Sequence, residues 1–260
     1  MSIVLNEVKQ AERIINKGEV GNKPTSTLFL LGKYYRQKEN LDKEQTFSKL
    51  NEFMQQHYKN YNSALWENII EDISKKANKY SLREIDSVGI TQSELEKISE
   101  MNNLKYQKLV FAMLCYAKLY NLISKNNNGW INTTIQELFK TSRVIVKRKM
   151  DKFLYLNDIE KTGLISFSNK NDNLNIRVNF VDMNGKSIFY IDDFRELGYE
   201  YLNYFENRKF TRCKECLRLI RKTNNKCLYC NDCKHEKQKE WQRKSMRKNR
   251  KHTCEVLEKP

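Results

Sequence analysis

Residues 130–163 read WINTTIQELFKTSRVIVKRKMDKFLYLNDIEKTG, and the way they divide into elements decides how the middle of the chain folds. The preceding NNNGW breaks the chain, and Trp130-Ile131 make a short strand. Thr133 and Thr134 are cap candidates for the short helix TIQELFK, and Thr134-x-x-Glu137 has the spacing of a capping box. Thr141-Ser142 restarts a helix that runs through RVIVKRKMDKFLYLNDIEKTG and stops at Gly163. Past Gly163, LISFS and LNIRVNFVD alternate as strands do, with NKNDN as the turn between them.

Helix, short strand, short helix, turn, longer helix and hairpin is the order of a winged helix-turn-helix, whose second paired helix reads DNA. The early and middle turns of that helix carry Arg143, Lys147, Arg148, Lys149 and Lys152 as expected DNA contacts, and the wing tip, Lys170 to Asn173, is polar and short. A protein-interaction domain of the same shape is the plainer alternative; the basic cluster favours DNA.

Upstream, residues 1–100 form a string of amphipathic helices. Ile3, Val8, Ala11, Ile14 and Ile15 mark a first helix ending near Gly18; a second starts after Pro24; Asp42 caps a third. Trp66, Ile69, Ile70, Ile73, Ala77 and Tyr80 make a clean apolar stripe, read as core. Thr91-x-x-Glu94 is a capping box with Ile90 and Leu95 as its hydrophobic staple. The stretch 104–125 is apolar on most of its circumference and is expected to be a buried central helix, with Cys115 as a small core residue. Downstream, Asn184-Gly185 signals a two-residue hairpin turn pairing IRVNFVD with KSIFYI. DDFRELGYEYLNYF then closes the body with a short helix, a break at Gly198 and an aromatic segment.

The C-terminal end has a different character. Five cysteines lie between residues 213 and 233. Cys213 and Cys216 form one C-x-x-C, Cys230 and Cys233 another, and two such turns supply the four thiolates of a closed structural zinc site. Cys227 offers a competing frame with Cys230. Asn231 and Asp232 are turn formers, whereas Leu228 and Tyr229 suit a strand, which favours Cys230 and Cys233. From Asn207 to Pro260 there are 18 Lys and Arg against 6 Asp and Glu, out of 48 and 32 in the whole chain. That concentration of cations points to an anionic partner, most simply nucleic acid. The tail can form a helix carrying Arg243, Lys244, Arg247, Lys248, Arg250 and Lys251 toward phosphates, with Trp241 expected to dock it onto the zinc module.

The remaining composition excludes more than it assigns. No run of 18 apolar residues occurs, so no membrane span is expected, and the N-terminal stretch lacks the pattern of a signal peptide. A reducing, cytoplasmic location follows, where thiols stay unpaired. No Gly-rich phosphate loop, Ser-His-Asp set or paired catalytic carboxylates stand out, so no catalytic residues are assigned.

The winged-helix-like body followed by FTRCKEC…CLYCNDCKHEKQKEWQRKSMRKNRK resembles a family of poorly characterised proteins from phages, prophages and plasmids of low-GC Gram-positive bacteria. The resemblance is best over about the last 50 residues. It implies Cys213, Cys216, Cys230 and Cys233 as ligands, with Cys227 a departure, and it carries no activity.

Together these readings give a mainly α fold with small β elements: a helical region (1–100), a winged-helix-like domain with an extended hairpin (101–206), a four-cysteine zinc ribbon (207–236) and a basic tail (237–260). The expected function is DNA binding by a zinc-containing protein of a mobile element, in regulation, replication or maintenance. Its cofactor is one structural Zn²⁺; its partner is double-stranded DNA; its place is the bacterial cytoplasm, at the nucleoid. An interaction protein that blocks a host factor is the alternative, and a nucleic-acid-processing enzyme with a zinc anchor is the second.

Overall fold

The computed structural model describes residues 3–168, 175–206, 209–224 and 227–257, with side chains up to Met246. It is mainly helical, 57% helix and 11% strand. The expected wing tip, Lys170 to Asn173, lies outside the described residues. The chain divides into two compact units: residues 3–88 with 122–125, and residues 89–121 with 126–260. The division falls before the Thr91 capping box, so that helix belongs with the second unit rather than with the first hundred residues.

In the first unit, α1 (Glu7–Lys17), α2 (Pro24–Gln37), α3 (Lys43–His57) and α4 (Ser63–Lys76) pack around Ala11, Ile14, Leu28, Leu31, Leu50, Met54 and Ile70. The local signals act as read. Gly18 takes a left-handed φ of 62° and closes α1, Pro24 opens α2, and Asp42 caps α3 in a full capping box with Gln45. Trp66 is half-buried and Ile70 and Ile73 are buried, but Tyr80 is exposed.

The second unit begins within β1 (Val88–Thr91), at Gly89, and continues into α5 (Gln92–Ser99), where Thr91 and Glu94 form the expected capping box. The central helix α6 (Leu104–Ile123) is buried at every residue from Leu109 to Leu119. This includes Lys118, whose ammonium lies 2.8 and 2.9 Å from the Glu94 carboxylate oxygens. β2 (Trp130–Ile131), α7 (Ile135–Thr141), α8 (Lys149–Glu160), β3 (Ile165–Phe167) and β4 (Ile176–Val178) follow. The strands form one antiparallel sheet in the order β2-β4-β3, with Ile131 opposite Ile176 and Ile165 opposite Val178.

The structure departs from the sequence expectations at three places. The helix expected to restart at Thr141-Ser142 starts at Lys149. Thr141 Oγ1 and Ser142 Oγ bond backward to carbonyls of α7, finishing that helix instead of capping the next. Arg143 then takes a left-handed φ of 53°, which interrupts the helix. The hairpin expected across Asn184-Gly185 does not form. β5 (Ser187–Ile191) pairs with β1, because the Asp182 carboxylate gathers the N–H groups of Asn184 and Gly185 while Glu94 and Lys118 hold the Asp182 backbone. Gly198 does not break a helix. It lies inside α9 (Leu197–Phe205), where any Cβ would run into the Ser142 carbonyl.

Candidate metal centre

The first cysteine pair is set by a tight turn between β6 (Phe210–Arg212) and β7 (Leu219–Arg221), which pair with Arg212 opposite Leu219. Within the turn the Leu217 N–H donates to the Cys213 carbonyl at 3.0 Å, and the Cys213 N–H to the Arg218 carbonyl at 2.9 Å. The second pair opens the long helix α10 (Asn231–Leu257). Cys230 stands just before it, Cys233 lies in its first turn, and the Cys233 N–H donates to Cys230 Sγ at 3.5 Å. A sulfur thus occupies the place where a capping oxygen usually accepts. The halves are joined by the Lys214 N–H to the Leu228 carbonyl, 3.0 Å, and by the Cys230 N–H to Cys213 Sγ, 3.3 Å.

This brings the sulfurs of Cys213, Cys216, Cys230 and Cys233 within 4.8 Å of one another, a group that can hold a metal ion. Cys216 and Cys230 are 3.7 Å apart. Cys213, Cys230 and Cys233 are buried and Cys216 is half-buried. Cys227 stays outside, its Sγ 3.9 Å from the Arg221 carbonyl, so the competing frame is not the one assembled. Cys115 is buried in α6, and burial pushes its thiol well up, which suits an inert core residue.

Burial opposes ionisation of these thiols. At Cys213 the backbone N–H groups of Cys216, Cys230 and Glu215 outweigh it and hold the thiol down at about 6. Cys230 and Cys233 are pushed up by burial and by the sulfurs beside them. Four anionic sulfurs in this space repel one another, and their joint ionisation needs a cation among them.

Charged side chains fasten the cysteine turns to the rest of their unit. Arg195 donates to the Cys216 carbonyl at 2.7 Å and holds Asp193. Arg218 pairs with Asp232 at 2.7 Å, and its Nε lies 3.9 Å from the buried Glu196. Glu196 also takes a two-pronged hydrogen bond from Arg143. Arg212 reaches Asp192 and Glu200 at 3.2 and 3.3 Å. Lys237 of α10 pairs with Glu215 at 2.9 Å and lies over the Tyr229 ring.

Beyond this root no described side chain of α10 is buried. Its 27 residues span about 40 Å. Between Lys234 and Met246 every residue except half-buried Ser245 is exposed. The docking role expected for Trp241 is therefore corrected: its side chain is 70% exposed. Arg243 and Lys244 are exposed, with Lys244 beside Glu240 at 2.6 Å. Arg247, Lys248, Arg250 and Lys251 belong to the same helix, and their side chains lie outside the described residues.

The residues expected on the recognition helix divide. Lys149 and Lys152 lie on α8, the first exposed, the second half-buried over the Phe139 ring. Lys147 and Arg148 are exposed on the turn before it. Arg143 is not a free surface cation; it is held by Glu196 and stacked over Tyr199. The sequence holds no sign of the pairing of Arg195, Glu196 and Arg218, and shows Asp232 only as a turn former, since single charges far apart in the chain carry no local signal of pairing.

No family model matches this chain, and neither a curated protein nor a solved structure matches it.

Proposed function

We propose that this chain is a DNA-binding protein built around a structural zinc ion, with duplex DNA as its partner. The observation that carries the reading is the four-cysteine group at the root of an exposed basic helix. A tetrahedron of thiolates with metal–sulfur bonds of about 2.3 Å has edges of about 3.8 Å. The 3.7 Å between Cys216 and Cys230 fits that edge. Four sulfur donors suit Zn²⁺ and leave no open position, so the ion's contribution is to fold the module.

Raised on that root, the segment from Lys234 to His252 carries nine Lys and Arg against two Glu. A helix whose described side chains past Cys233 are nearly all exposed gains little from burial in its own fold, and a polyanion is the partner its composition fits. The order α6, β2, α7, α8 and the β3–β4 pair, with β2 beside β4, supports a winged-helix reading in which α8 and the turn before it face the DNA. The resemblance of the last 50 or so residues to proteins of phages, prophages and plasmids supports a role in the regulation, replication or maintenance of a mobile element in a bacterial cytoplasm, although it carries no activity of its own.

The test is binding of the purified full chain to a short labelled duplex at rising salt. With roughly six phosphate contacts, affinity falls on the order of 10³-fold between about 50 and 200 mM salt. No binding at the low-salt end would overturn the reading, and capture of an acidic protein by the same chain would favour the host-factor alternative.

A further inference from the structure

The turn between α7 and α8 is held firmly on its inner side. Val144 is buried, with its N–H bonded to the Phe139 carbonyl at 3.1 Å. Arg143 is locked to Glu196, and its carbonyl accepts from Lys108 at 2.9 Å. Gly198 admits the Ser142 carbonyl where no larger residue fits. A turn so fixed does not expose its outer side chains through slackness.

That outer side is apolar. Ile145 is 88% exposed, Met150 69% and Leu154 58%. Met150 and Leu154 are four residues apart on α8 and share a face. Leu154 and Ile145 line one shallow hollow together with Tyr106 and Tyr155. Around it stand the exposed cations Lys147, Arg148 and Lys149. The Lys108 ammonium behind the turn is held below the usual lysine range, first by burial and then by Lys105, Arg143 and Arg221. The acids here are few: Asp151, and Asp158, which is engaged by Lys161 and Tyr106.

An apolar strip ringed by three exposed cations, with few acids among them, calls for an anionic partner. It matches the major groove, where thymine methyl groups lie between two rows of phosphates. We propose that Ile145, Met150 and Leu154 contact thymine methyl groups in the major groove while Lys147, Arg148 and Lys149 hold the flanking phosphates. This rests on the DNA-binding reading above and adds the class of base that is read.

Alternating poly(dA-dT) and poly(dA-dU) differ only in that methyl group and serve as probes for the full chain. Each buried methyl contributes about 0.8 kcal/mol, or about fourfold in affinity. With two or three contacts, binding to poly(dA-dT) is expected to be roughly 15- to 60-fold tighter. Ile145→Ala with Leu154→Ala, both at exposed positions, should keep the wild-type melting temperature and bind the two polymers more nearly alike. Equal wild-type affinity for both polymers would overturn the inference and leave DNA binding standing. So would a preference that survives intact in the double variant. Failure to bind either polymer would overturn both.

Discussion

Arg218 and Asp232 bridge the two cysteine turns: Arg218 follows the first pair, Asp232 lies inside the second, and Nη1 stands 2.7 Å from Oδ2. Because Arg218 also lies near the buried Glu196, which Arg143 holds, the bridge continues to the α7–α8 turn. The cysteine turns and the α7–α8 turn are thus linked through a short run of charges.

Asp232→Ala should therefore act on metal retention as well as on stability. It removes an exposed partner of a half-buried arginine, a loss of about 1 kcal/mol. Competition with a chromophoric chelator should show zinc released several-fold more readily, and hydrogen exchange should quicken around residues 142–148. Unchanged exchange there would show that the bridge stops at the module.

Glu200 gives a pH dependence. Burial pushes its carboxyl up to about 7, Arg212 opposes, and Asp192, Asp193 and Glu196 add to the rise. A carboxyl whose folded pKa lies above its unfolded one is favoured protonated in the fold. Its contribution is full below the ordinary carboxylate range and is lost as pH rises through about 7. Glu200→Gln should match the wild type near pH 4 and exceed it by up to about 3 kcal/mol at pH 8. Denaturant melts at both pH values check this, and an equal difference at the two would contradict it.

Glu7, buried in the first unit against Lys33, shifts the other way. Burial raises the Glu7 carboxyl, but hydrogen bonds from Lys33 and the Arg83 backbone, with their charges, bring it below its ordinary value. Its stabilisation is present above the unfolded pKa and is lost as pH falls through the folded one. Glu7→Gln leaves Lys33 buried 2.5 Å from a neutral group and should cost about 3 kcal/mol at neutral pH, less in acid. Thermal melts across the acid range measure it.

Local chemistry was legible in the sequence where one short stretch contains both partners. The Asp42 and Thr91 capping boxes, the Gly18 stop and the two C-x-x-C turns each complete their hydrogen bonds within a few residues. What failed depended on distant partners. Asn184-Gly185 looked like a hairpin turn, but Glu94 and Lys118, far back in the chain, fix Asp182 and redirect the strand. Arg143 read as a free cation because Glu196 lies 53 residues away. Gly198 read as a breaker because only the fold brings Ser142 against it.

Neutralising Arg243, Lys244, Arg247, Lys248, Arg250 and Lys251 to Gln separates the part of α10 in the proposed DNA binding from that of α8 and the turn before it. Each phosphate contact adds about 0.9 to the salt slope, so the slope should flatten by roughly 4–5 while preference among sequences persists. An unchanged slope would assign the charge of α10 to another partner.

The metal centre is tested most directly by elemental analysis of the purified full chain and two single variants. About one zinc per chain is expected in the wild type and in Cys227→Ser, and loss of zinc with local unfolding in Cys213→Ser. A wild-type chain whose C-terminal module is folded without metal, or a Cys213→Ser chain that keeps its full zinc content, would contradict that expectation.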